Sequence, residues 1–167
     1  MSHANNKVQW CLRKAEKELQ ESKVHRGIVK TGVNKEKAKE HMEKAEHYLS
    51  ATLYLKKGNF SDISASTIFY SIYHCLLSIA AKYGYESRNQ ECTFALMASL
   101  IEDKLINLDK GWLVKIAPLE STEEHTTVKM REQYQYGTSV SLSDDVYEEQ
   151  LSLAKRIMAK TKEILEK

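Results

Sequence analysis

Proline occurs once in the chain, at Pro118, and the six glycines are scattered. That scarcity excludes collagen-like and proline-rich extended architectures, and with 42% hydrophobic residues it argues against a disordered chain. Cysteine is also sparse. Cys11, Cys75 and Cys92 are odd in number, widely separated and form no C-x-x-C pair, so they read as reduced, buried thiols. Met1 to Lys7 is polar, with no apolar run of a secretory leader and no arginine-rich transit character. The expected location is the cytoplasm. The motifs G-x-x-x-x-G-K-S/T, G-x-G-x-x-G and G-x-S-x-G are absent, which leaves P-loop, dinucleotide-binding and hydrolase readings without support.

The most telling absence is local. Ile63 to Ala81 contains no Asp, Glu, Lys or Arg, in a chain that is 29% charged. Such a run is either a membrane span or the buried helix of a bundle. It holds four Ser, one Thr, one His and two Tyr, too polar for a lone lipid-facing helix. Ser64, Thr67, Ser71, His74 and Ser78 share one stripe, and Ile68, Ile72, Leu76 and Ile79 a neighbouring one. The spacing predicts a soluble core helix, and no membrane partner. The hydroxyl stripe either permits close helix packing or lines a polar groove or dimer interface.

Helical periodicity recurs along most of the chain. A first helix is expected over about 6–24, with Val8, Leu12, Ala15 and Leu19 on one face. A loop over about 25–33 follows. Asn34 is a suitable N-cap for a helix over 35–57, and Gly58 a suitable stop. Ser61 and Asp62 open the central helix, and Gly84 ends it. Ser87-x-x-Gln90 reads as a capping box for a helix over about 88–106 that buries Phe94, Met97, Ile101 and Leu105. A short helix is expected around Trp112. Ser121-x-x-Glu124 reads as a second capping box, for a helix running to about Tyr136. The last helix follows Ser143 and buries Tyr147, Leu151, Ala154, Ile157, Thr161 and Ile164. The expected fold is all-α: an antiparallel four- to five-helix up-and-down bundle over 34–167, preceded by a helical extension over 1–33, within a single domain.

Formal net charge is only +2, but it is unevenly spread. Residues 1–60 carry a net +6 and residues 91–150 a net −7. That asymmetry suits either a solvated surface or contact with nucleic acid or an acidic partner. No two His or Cys stand at the one-turn spacing of a helical metal site, and His41 and His47 sit on a charged helix; no metal or other cofactor is expected. Arg131-Glu-Gln-Tyr-Gln-Tyr136 places Arg131 and Tyr134 one turn apart, with Tyr136 close by. Guanidinium and phenol groups suit phosphate contact and base stacking. Arg88, near an expected helix N-terminus, and His74 complete the candidate set.

Four stretches together resemble the HEPN (higher eukaryotes and prokaryotes nucleotide-binding) family. They are Lys44-Ala-Glu-His-Tyr-Leu49, Lys57-Gly-Asn-Phe-Ser-Asp62, Ile68-Phe-Tyr-Ser-Ile-Tyr-His-Cys-Leu-Leu77 and Lys82-Tyr-Gly-Tyr-Glu86. Arg131 to Gly137 is similar to the family's R-x-x-x-x-Y-G ending, and the resemblance covers about 35–166. It implies a helical bundle, usually a homodimer. Some members are metal-independent endoribonucleases that pair an Arg with a His a few residues on, in toxin–antitoxin or defence settings. Others accompany a nucleotidyltransferase as partner subunit. Arg131 matches the family's Arg, but Tyr136 stands where the His is expected. A phenol with a pKa near 10 transfers protons poorly at neutral pH. The resemblance therefore implies a nucleotide- or RNA-binding or nucleotidyltransferase-partner module rather than an enzyme. The alternatives are a ribonuclease in which His74 or His125 replaces the motif His, and a purely structural helical adaptor.

Overall fold

The computed structural model describes residues 2–22, 24–117 and 126–167. Its elements, in chain order, are α1 (His3–Glu21), β1 (Ile28–Lys30), α2 (Lys35–Lys57), α3 (Ser61–Lys82), β2 (Tyr85–Ser87), α4 (Gln90–Glu102), α5 (Lys110–Ile116), α6 (Thr127–Tyr136) and α7 (Asp144–Glu166). The expected four- to five-helix bundle is thus corrected: the described residues form seven helices and a two-stranded antiparallel ribbon. The ribbon pairs Ile28 with Ser87, Val29 with Glu86 and Lys30 with Tyr85. Strands of three residues are too short to print an alternating pattern. The segment read as a loop over 25–33 and the residues read as a capping box are where they lie.

Two glycines with left-handed backbone make the ribbon possible, Gly32 at φ +81° and Gly84 at φ +82°. A Cβ on Gly84 would sit 3.1 Å from the carbonyl carbon of Gly32, so the two turns touch through bare backbone. The Thr31 amide donates to the Gly84 carbonyl at 2.9 Å and continues the pairing. Ser87 belongs to β2, and α4 is capped instead by Asn89, whose Oδ1 accepts from the Cys92 amide at 3.0 Å. The helix stops at Glu102, and Leu105 beyond it is 55% exposed rather than buried. Thr126 caps α6, its Oγ1 accepting from the Lys129 amide. Ser121 and Glu124 lie outside the described residues.

The uncharged run forms α3, the one described helix long and apolar enough to cross a membrane, yet 67% of its apolar window is buried inside the molecule. It is the core helix of a globular domain. Phe69, Ile68, Ile72, Leu76 and Ile79 are fully buried on it, and α2, α6 and α7 pack around it. All six residues expected on the inner face of α7 are buried.

The hydroxyl stripe faces α2. Ser64 Oγ donates to the Thr52 carbonyl at 3.4 Å, Ser71 Oγ to the Ala45 carbonyl at 2.9 Å, and Ser78 Oγ to the Ala38 carbonyl at 2.6 Å. Donors and acceptors each recur every seven residues, in opposite directions along the two helices. Seven residues is close to two turns, so the small residues Ala38, Ala45, Ser64, Ser71 and Ser78 form one seam along which the backbones approach. Close packing, one of the two readings of the stripe, is what these bonds do.

Cys11 and Cys92 form a disulfide between α1 and α4, correcting the expectation that all three thiols are reduced. Cys75 remains a buried free thiol, its pKa pushed up to about 12 by burial.

Candidate functional site

α6 is fastened before it presents anything. Thr127 Oγ1 donates to Gln150 Oε1 of α7 at 2.6 Å and to the Lys115 carbonyl of α5 at 3.3 Å. That anchorage turns Thr127, Met130 and Arg131 inward. Arg131 is only 8% exposed. Its guanidinium carbon lies 4.4 Å from the centroid of the Phe69 ring, a cation–π contact in the middle of α3. One terminal nitrogen reaches Glu132 Oε1 at 3.4 Å. The Nε is buried and has no hydrogen-bond acceptor among the described residues. Buried guanidinium groups are normally matched by carboxylates and carbonyls on several nitrogens, so this one is under-matched.

The other expected residues are not gathered round it. Tyr134 is partly buried against the core, whereas Tyr136, at the helix end, is 78% exposed. Gly137 ends α6 by close approach, not by a left-handed turn: a Cβ there would lie 2.4 Å from the Gln133 carbonyl oxygen. Arg88 is exposed and pairs with Glu86 at 2.9 Å, on the ribbon side of the molecule. His74 lies in the groove between α2 and α3, where its Nδ1 is 3.0 Å from Nδ1 of His41. His125 lies outside the described residues.

That groove holds residues the sequence reading passed over. Tyr48 stacks on His74 with centroids 5.6 Å apart and on Tyr70 at 5.4 Å, and Lys44 Nζ lies 5.2 Å from the Tyr48 ring centre. His41, expected on a charged helix, is half-buried. The signal was present as a helical spacing: His41 and Tyr48 are two turns apart on α2, and Tyr70 and His74 one turn apart on α3. Burial first, then Lys37 for His41 and His41 with Lys44 for His74, lower both histidines, His74 to about 4, so both rings are neutral at pH 7.

A cleft of about 680 Å³ opens between α1, α4, α5 and α6. Its floor is apolar, with Phe94 and Val128, and its rim carries Lys7, Glu91, Lys110 and Glu132. Lys7 pairs with Glu91 at 3.2 Å and Lys110 with Glu102 at 3.2 Å. Glu132 therefore serves twice, as a wall of the cleft and as the ionic partner of Arg131. Among the described residues no three His, Cys, Asp or Glu side chains converge as a metal-binding group. No protein-family model matches the chain, and no curated protein matches it.

Proposed function

We propose that the protein is a non-catalytic, HEPN-like module that binds a nucleotide or RNA, or docks a nucleotidyltransferase, as a cytoplasmic homodimer. One observation carries this reading: Arg131 is buried, backed by Phe69, and among the described residues its Nε has no acceptor and its one ionic contact is Glu132. A phosphate oxygen supplies the acceptor that the described residues do not. Tyr136, exposed one and a half turns further along α6, offers a ring on which a base can stack.

The ribonuclease reading gains no support from the described residues. Among the described residues the contacts of Arg131 are Phe69 and Glu132, and neither is the imidazole that the family's motif pairs with the Arg. His74 is engaged by His41 and Tyr48, and with a pKa of about 4 it is a poor proton donor at neutral pH.

Fluorescence anisotropy with a labelled single-stranded RNA and with a labelled nucleotide, over a salt series, tests the proposal. Binding is expected to weaken with salt, to drop at least about tenfold in Arg131→Met, and to fall by about 1–3 kcal/mol in Tyr136→Ala. Arg131→Met keeps the side-chain volume, so circular dichroism should show the fold intact. No salt-dependent binding of either ligand, or equal binding by both variants, sinks the reading. RNA cleavage that requires Arg131 establishes the ribonuclease instead.

A further inference from the structure

Among the described residues the closest pair of imidazoles lies away from Arg131. His41 of α2 and His74 of α3 direct their Nδ1 atoms at one another across 3.0 Å, with ring planes 37° apart. We propose that these two nitrogens form a clamp for one divalent transition ion of the Ni(II) or Cu(II) type, bridging α2 and α3, with water in the remaining positions.

The spacing carries the proposal. Two ligands 3.0 Å apart, each about 2.0–2.1 Å from a metal, subtend roughly 90° there. That is the cis angle of a tetragonal or octahedral site, whereas a tetrahedral zinc site needs a somewhat wider bite. Imidazole is a favoured ligand for both ions, and they stand high in the divalent affinity order. The helices that bear the pair cannot drift, because the serine bonds from Ser71 and Ser78 to α2 lie on either side of His74. Tyr48 stacks on His74 at 21° and holds the ring plane.

Protonation also fits. Without metal, one Nδ1–H donates to the other Nδ1. With metal, both lone pairs turn to the ion and both rings carry their proton on Nε2. A proton moves from Nδ1 to Nε2 of one ring, and none is released. The charged neighbours are Lys37, Lys44, Glu40 and Glu86. Lys37 is paired to Glu40 at 2.8 Å, and Lys44 sits over the Tyr48 ring. Glu40 and Glu86 both favour positive charge at His41. The proposal is independent of the RNA-binding reading, since Arg131 contacts neither histidine.

The test uses the full chain, stripped with chelator, in a background carrying His3→Gln and His47→Gln. NiCl2 and CuCl2 are titrated by calorimetry, with the thermal midpoint followed in parallel. One ion per chain is expected, with affinity reduced more than about tenfold by His41→Gln and by His74→Gln. The ion should raise the midpoint of the background protein and of neither variant. Binding that survives both substitutions, or no saturable binding up to about 1 mM ion, overturns the clamp and leaves two imidazoles that share a hydrogen bond. Should a variant fail to fold, imidazole nitrogen NMR of the background protein decides. Ni(II), which is paramagnetic, must then shift or broaden the ring resonances of His41 and His74 before those of other residues, and unchanged resonances overturn the proposal.

Discussion

Replacing the seam serines between α2 and α3 by alanine and by leucine separates the two things a small hydroxyl does there. Ser71 and Ser78 are fully buried, and each donates to a carbonyl of the opposite helix. Alanine removes a hydrogen bond with a net value of about 1 kcal/mol. It leaves no orphan, because the Ala45 and Ala38 carbonyls keep their own helical bonds. Alanine also gains about 0.5 kcal/mol of helix propensity over serine. The expected net cost is therefore about 0.5 kcal/mol per site. The two sites stand about 10 Å apart on α3, far enough for the double variant to cost about 1 kcal/mol by addition. Ser64, with the longest bond at 3.4 Å, should lose least. Leucine differs in kind. It has good helix propensity, so its cost comes from forcing the helices apart, about 1–3 kcal/mol beyond the lost bond. Urea unfolding followed by circular dichroism measures all of these. If Ser71→Leu and Ser78→Leu each cost less than alanine does, the seam has room for a larger side chain and the close-packing account of it fails.

Three further outcomes follow from the fold. His74 titrates in the unfolded chain near 6.5 but in the fold at about 4, chiefly because of burial, then His41 and Lys44. The unfolded state thus binds the proton first, and stability should fall as pH drops below 6.5, levelling below 4. For a partly exposed ring, screening reduces the loss to about 1–2 kcal/mol, and urea midpoints of His74→Gln should vary less between pH 7 and 5. Breaking the Cys11–Cys92 bond, which closes a sequence separation of 81, should cost up to about 4.5 kcal/mol by loop entropy, seen as a lower urea midpoint in reductant. Gly84→Ala should cost about 1–2 kcal/mol from its left-handed backbone alone, and amide exchange at Thr31 should quicken; unchanged exchange would separate the ribbon from that turn.

Long periodic segments were legible in the sequence. α2 begins and ends where Asn34 and Gly58 indicate, and α7 buries the stripe its spacing marks. What was hidden is contact between distant segments. Ile28 meets Ser87, Cys11 meets Cys92 and His41 meets His74, and none of these pairs leaves a local pattern. Local signals also misled where two were available. Ser87 and Asn89 can both cap a helix, and strand pairing of Ser87 leaves the task to Asn89. At the candidate site the sequence supplied Arg131 and Tyr136 as residue types. It did not supply the inward turn of Arg131 onto Phe69, which depends on how Thr127 grips α7 and α5.

The Cys11–Cys92 bond makes the segment between them a covalent ring, and α2, all of α3 and both ribbon strands lie inside it. A protease that cuts once within the ring, for instance between β1 and α2, opens the ring without releasing a fragment. Such a nicked molecule would keep its core helices attached at both ends and run as one species until reduced, when it would part into two pieces. The bond thus gives the chain tolerance to a backbone break in the half of the molecule that holds its core hairpin.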